Sequence, residues 1–290
     1  MLKTRIAATI LIRDGVAVQS HDFRRHLPVG RPEIAVEYLN RWGIDEIVLL
    51  DMLATREGRA PDPALVERCA ARCQVPLAVG GGVRYASDFV DLLHAGADKV
   101  VVNTAAVVDP ALVTAAAARF GTQCVLVSID ARPDGQGGYR VWTEGGRRET
   151  DLTAADWARR AQLLGAGEIL LNAIHRDGGG AGFDVGLIRA VAEAVDIPVI
   201  AQGGAGHPLH FSEAARAGAG AVAAANYWHH TEHSVATTKH FLQQAGEPPV
   251  RLDTAFDYAG FGMGDNGRLA MADAAELERL RFVHIPADDS

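Results

Sequence analysis

The chain has 290 residues, 48% hydrophobic and 22% charged, which is apolar material for one large core. Its formal net charge of -8 excludes the clustered basic surface that nucleic-acid binding needs. Three cysteines, Cys69, Cys73 and Cys124, do not make a secreted disulfide framework, and no apolar run reaches membrane-spanning length.

The N-terminal MLKTRIAATILI is basic and then apolar, but Asp14 and Gly15 follow with no small-residue cleavage pattern. It reads as a first strand, RIAATILI from Arg5, of a cytoplasmic protein. The helical segment PEIAVEYLNRWG leads to a second strand, EIVLLD from Glu46, and DPALVERCAARC leads to PLAVGG from Pro76. ASDFVDLLHAG precedes DKVVVN from Asp98, and PALVTAAAARFG precedes CVLVSID from Cys124. AADWARRAQLLG then leads to EILLN from Glu168, LIRAVAEAV to IPVIAQGG from Ile197, and the last strand is AVAAAN from Ala221. Strands alternating with glycine-closed helices predict a single (β/α)8 TIM barrel over residues 1–245. The near-continuous apolar strands suit a parallel sheet buried on both faces.

Two segments fall outside the plain barrel. RPDGQGGYRVWTEGGRRET, after Asp130, predicts a small hairpin inserted behind the fifth strand. Residues 246–290 form a C-terminal extension whose Phe256, Tyr258 and Phe261 predict docking rather than disorder.

The barrel is built from two half-barrel repeats. Gly81 and Gly82 recur 122 positions on as Gly203 and Gly204, and AGA at 95–97 recurs at the same offset. Asp51 and Asn172, each ending a strand, recur at 121. Asp130 ends the first strand of the second half, and Leu11 ends the matching strand of the first, where the repeat predicts an acid.

Reactive groups of such barrels sit where strands run out into their following loops. Asp130, closing an apolar strand, is the candidate acid-base group, with partial desolvation raising its pKa. Asp51 and Asn172 stand on the same rim, and His175 and Asp177 follow the sixth strand in a loop able to close over a ligand. The loops GGGVR and GGAGH offer backbone N–H groups to phosphate. Gly81, Gly82, Asn103 and Thr104 would hold one phosphate, and Gly203, Gly204, Ala225 and Asn226 a second. The alternative, that these glycines only permit tight turns, stays open here. WHHTEHS places His229 and His233 four apart with Glu232 between, but no third ligand is evident. It reads as a polar helix start, and no metal or cofactor is expected.

VGGGVR, AGADKVVVNTAAV, a strand ending in SIDA, GAGEILLN, HRDG and IPVIAQGGAG together resemble the cyclase subunit of imidazole glycerol phosphate synthase over roughly residues 1–245. That resemblance implies a heterodimer with a glutaminase subunit, whose ammonia travels through the barrel. There a phosphorylated small-molecule substrate, a ribulosyl-formimino aminoimidazole carboxamide ribotide, is cleaved and cyclised by two opposed aspartates. It implies a bisphosphate-like site that also includes Gly178. It further implies an ammonia gate of Arg5, Glu46, Lys99 and Glu168 at the strand beginnings, with Asp98 at the glutaminase interface. Leu11 replaces the family's first catalytic aspartate, Gln19 replaces a lysine, and Ala8 and Thr9 replace a proline-cysteine pair. LPVGRPEIAVEYLNRWGIDEIVLLDMLATREG and the segment after TEHSVATTKHFL are similar to a paralogue group associated with amidination of surface-polysaccharide sugars. The expected function is therefore an ammonia-receiving, lyase-type synthase subunit serving such a sugar, with a separate sugar amidotransferase or ligase as a further partner. The alternatives are a histidine-pathway cyclase and a non-catalytic barrel that binds a phosphorylated ligand.

Overall fold

The computed structural model describes residues 3–22, 24–231, 233–245, 250–252, 262–270 and 275. Among these described residues, twelve strands form one sheet. They are β1 (Arg5–Arg13), β2 (Val16–His21), β3 (Arg25–Gly30), β4 (Glu46–Asp51), β5 (Leu77–Gly80), β6 (Lys99–Val102), β7 (Val125–Pro133), β8 (Tyr139–Thr143), β9 (Arg148–Thr153), β10 (Glu168–Ala173), β11 (Val199–Gln202) and β12 (Ala221–Ala224). Eight run parallel in the order β1-β4-β5-β6-β7-β10-β11-β12. Pairing of Arg5 with Ala221 returns β12 to β1 and closes the barrel. Amphipathic helices fill the crossovers, with Phe89, Trp157, Leu187 and Phe211 buried against the outer face of the sheet.

Side-chain alternation separates two cores. In β1, Ile6, Ala8, Ile10 and Ile12 belong to the large layer between sheet and helices. Ala7 points the other way. It joins Val48, Ala78, Val101, Leu126, Leu170, Ile200, Ala221 and Ala223 in a second cluster that fills the barrel axis.

The hairpin after the fifth barrel strand is present as β8 and β9, with β7 running past the barrel rim to pair antiparallel with β8. The first half carries a matching hairpin, β2 and β3, which the sequence reading did not include. Its signal was available. Asp14 and Gly15 form a two-residue loop between paired Arg13 and Val16, both with positive φ, the geometry of the tightest hairpin turns.

Two helix boundaries settle local details. The helix after WHHTEHS spans Ser234–Gln244, with His233 outside it and His229 in a preceding 3-10 turn, so the two imidazoles share no helical face. The helix Pro63–Ala70 ends before Cys73, whose thiol instead donates to the Val75 carbonyl at 3.2 Å. Phe256, Tyr258 and Phe261 lie outside the described residues. Among the described residues of the extension, Val250 bridges Thr4 at the amino-terminal face, and residues 262–270 fold as a tight turn closed by a Met263–Leu269 bridge.

Candidate active site

Arg5, Glu46, Lys99 and Glu168 are the first residues of β1, β4, β6 and β10, and all four point into the barrel floor. They form an alternating closed ring. Arg5 reaches Glu46 at 2.8 Å and Glu168 at 2.7 Å, and Lys99 reaches the same two at 2.6 and 2.5 Å. The Glu46 side chain is fully buried, a position tenable for a carboxylate only with two cations beside it. Burial opposes the charge on Arg5, and Glu46 and Glu168 outweigh it, leaving the guanidinium more basic than usual. Asp98, beside the ring, is exposed and accepts from the Leu77 amide at 2.8 Å.

At the opposite end, Asp130 is 7% exposed and lies in register with Asn172. Asn172 Nδ2 donates to one carboxylate oxygen and Asn103 Nδ2 to the other, both at 3.1 Å. Burial pushes the Asp130 carboxyl up to about 6, against the pull of those two amides. Leu11 occupies the corresponding place on β1, buried, in register with Leu50. Below the mouth, Thr9 Oγ1 donates to Gln202 Oε1 at 2.7 Å.

The register revises the internal alignment. Leu11 pairs with Leu50 and Ile12 with Asp51, whereas Asp130 pairs with Asn172. The counterpart of Asn172 is therefore Leu50 at the same 122-residue offset as the glycines, and Asp51 corresponds to Ala173. One step along a strand reverses the face. Asp51 accordingly sits on the Leu49 side. There it accepts from the Leu53 and Ala54 amides at 3.1 Å and pairs with Arg59 at 2.5 Å. His175 is engaged by a partner other than Asp130. Its Nε2 lies 3.1 Å from Asp184, which caps the helix Val185–Ala192 and receives the Tyr139 hydroxyl at 2.8 Å.

Asp177 belongs to the mouth by a route absent from the sequence reading. Ser20, on the unforeseen hairpin, donates its hydroxyl to Asp177 Oδ2 at 2.8 Å. The Ser20 amide donates to Asn226 Oδ1 at 3.0 Å and the Asn226 amide returns to the Ser20 carbonyl at 2.5 Å. The Asn226 side chain thus mimics a strand partner and pins the hairpin beside the eighth barrel strand. Gln19, half-buried, precedes this clasp and pairs in register with Leu27. Gly178 packs against it, since a Cβ there would meet the Ser20 carbonyl at 2.7 Å.

The two glycine loops are unequal. The Gly82 amide donates to Thr55 Oγ1 at 3.1 Å, and a Cβ on Gly82 would lie 2.0 Å from the Arg59 carbonyl; on Gly81 it would meet Asp51 O at 2.2 Å. The Thr104 hydroxyl accepts from the Glu144 amide at 3.0 Å. Gly203 and Gly204, by contrast, line a cavity of about 510 Å³ together with Gly178, Ala225 and Asn226. A Cβ on Gly204 would strike the Gly182 carbonyl at 2.1 Å, so this turn is built for backbone alone.

A half-repeat TIM barrel with a charged floor, an apolar axis and a buried carboxyl at its carboxyl-terminal mouth defines the class. The comparisons name the family. Residues 5–234 match the family described as histidine biosynthesis protein, and the chain belongs to it. It is 46% identical over 256 residues to the imidazole glycerol phosphate synthase subunit HisF of Caulobacter vibrioides, covering 87% of this chain and 98% of that protein. The HisF subunit of Thermococcus gammatolerans is 47% identical over 254 residues, covering 87% of this chain and 100% of that protein. That of Pyrobaculum aerophilum is 50% identical over 233 residues, covering 80% and 91%. The chain is HisF-like; no finding among these comparisons points to the polysaccharide paralogues. No helix among the described residues is long and apolar enough to cross a membrane.

Proposed function

We propose that this chain is the ammonia-using cyclase subunit of an imidazole glycerol phosphate synthase-type pair, working with a glutaminase and carrying Asp130 as its buried acid-base group. The observation that supports it most is the closed ring of Arg5, Glu46, Lys99 and Glu168 directly beneath an apolar axis that ends at Asp130. Ammonia in its neutral form suits such an axis. The axis is also lopsided. Ala221, Ala223, Ala7 and Ala78, with Val48 between the last two, come from the strands around β1, whereas Val101, Leu126, Leu170 and Ile200 fill the far arc.

At the mouth, Asn103 and Asn172 orient the Asp130 carboxylate by donating to both oxygens. A pKa near 6 keeps a usable fraction in each protonation state near neutrality. Gly203 and Gly204, with Ala225 and Gly178, would seat one phosphate of the substrate; Gly81, Gly82, Asn103 and Thr104 would hold the other once the Gly82 amide leaves the Thr55 hydroxyl. Asp51 and His175 serve as supports in this reading, since each is held by a partner away from Asp130. Asp177 holds the first hairpin through Ser20. Asp98 would lie in the glutaminase interface.

A second reading, delivery of ammonia for amidination of a surface-polysaccharide sugar through a further amidotransferase or ligase, is favoured by one observation: Leu11 leaves the mouth with a single acid. The named relatives favour the first. Turnover of the imidazole-pathway substrate in saturating ammonia separates the two, because free ammonia bypasses the glutaminase. Substrate binding without any turnover would favour the sugar reading. A complex with a glutaminase whose hydrolysis rises on mixing, weakened by Asp98→Ala, tests the partner; absence of both complex and stimulation would remove the channel argument.

A further inference from the structure

The hairpin-like turn at residues 262–270 belongs to the extension, and its tip reaches the cavity over Gly203 and Gly204. Four backbone and side-chain bonds close it on itself. Gly264 N donates to Arg268 O at 2.8 Å, Gly267 N to Gly264 O at 2.9 Å, Ala270 N to Gly262 O at 2.8 Å, and Arg268 N to Asn266 Oδ1 at 3.0 Å. Docking rests on His207. Its Nδ1 accepts from the Leu209 amide at 3.2 Å, so the ring proton sits on Nε2, which donates to the Asp265 carbonyl at 2.7 Å. Phe241 braces the same imidazole edge-on at 5.3 Å. Gly267 is buried against Pro208: its φ is +72°, and a Cβ there would come within 2.4 Å of the proline ring.

This docking places Asn266, Gly267 and Arg268 in the wall of the cavity that Gly203, Gly204 and Asn226 line from the barrel side. Arg268 is exposed, and no carboxylate among the described residues lies within ion-pairing reach of it. Its charge is felt at Tyr227, another residue of the same wall. An arginine on a hydrogen-bonded turn that lines the same cavity as Gly203 and Gly204 has the donors for a phosphoryl oxygen.

We propose that the 262–270 turn is an anion clamp and that Arg268 is a specificity-determining ligand for the phosphoryl group seated over Gly203 and Gly204. This rests on the phosphate reading of that cavity given above. The extension then sets the affinity for one end of the substrate, while the barrel supplies the acid.

Inorganic phosphate, titrated into the full-length protein and followed by backbone amide shifts of Gly203 and Gly204, tests the assignment. Arg268→Ala should weaken the apparent affinity about five- to tenfold, a magnitude set by one charge-assisted contact discounted for exposure, and Arg268→Lys should restore part of it. Gly267→Val, which cannot dock against Pro208, should reproduce the loss without touching the guanidinium. Equal affinity in the parent and Arg268→Ala overturns the clamp while leaving the glycine site intact, as does a loss confined to Gly267→Val. No response at Gly203 and Gly204 in the parent removes the phosphate reading and the clamp together.

Discussion

Leu11 and Asp130 occupy equivalent positions in the two halves of the barrel. Each faces inward near the end of the first strand of its half, pairs antiparallel with an inserted hairpin strand, and pairs in parallel with the next barrel strand. Val18 and Leu50 are the partners of Leu11, and Trp142 and Asn172 those of Asp130. The backbone thus presents two equivalent positions at the mouth, and one of them carries a hydrocarbon. Leucine neither moves a proton nor accepts a hydrogen bond, so under the proposed function the acid-base work at this mouth would fall to Asp130.

That burden has a cost in stability with a defined sign. The Asp130 carboxyl is held near 6 against an ordinary 3.8, so ionisation is disfavoured in the folded state. Its contribution is fully present below about pH 4 and is lost as pH rises through 6. Asp130→Asn, neutral throughout, should therefore gain roughly 2–3 kcal/mol on the parent between pH 4 and pH 8. Urea unfolding at the two pH values measures it. A parent that gains on the variant instead would show that the Asn103 and Asn172 bonds outweigh burial.

The charged floor makes a prediction that separates cation from shape. Lys99→Met keeps the stem but removes the ammonium between Glu46 and Glu168, leaving Arg5 alone against two carboxylates. Stability should fall by about 2–4 kcal/mol. Lys99→Arg, which preserves the alternation, should cost less than half as much. Equal losses in the two would indicate that packing, not charge pairing, holds the floor.

Asp51 should behave as a cap. Asp51→Ala removes the acceptor for two amides and the partner of Arg59, and should lower stability by about 1–2 kcal/mol. Ammonia-driven turnover should fall far less than in Asp130→Asn. A loss of rate comparable to that variant would place Asp51 in the chemistry.

Much of this was legible in the sequence, and the failures share a cause. Eight apolar runs separated by helical spacing gave the barrel, and charged residues opening four strands gave the ring, because both are patterns along the chain. Glycines 122 residues apart marked the halves. The direction in which Asp51 points was not legible, since it turns on a one-residue register that only the pairing of Ile12 with Asp51 reveals. The His175–Asp184 and Ser20–Asp177 bonds join residues 9 and 157 positions apart by loop geometry with no periodic signal. The first hairpin did have a signal, the Asp14–Gly15 turn followed by alternating VAVQS. The placement of Arg268 had none, because nothing in GMGDNGRL indicates that the Asp265 carbonyl accepts from His207.

The most direct measurement is the steady-state turnover of the imidazole-pathway substrate by the purified chain in saturating ammonia, compared with Leu11→Asp, Leu11→Asp with Gln19→Lys, and Asp130→Asn. Loss of one of two acid-base groups lowers rates by about 100- to 10,000-fold. The parent should therefore turn over slowly, Leu11→Asp should raise the rate, the double variant should raise it further, and Asp130→Asn should abolish it. A parent rate indifferent to Asp130→Asn, or a Leu11→Asp variant that binds the substrate and gains nothing, would contradict the account.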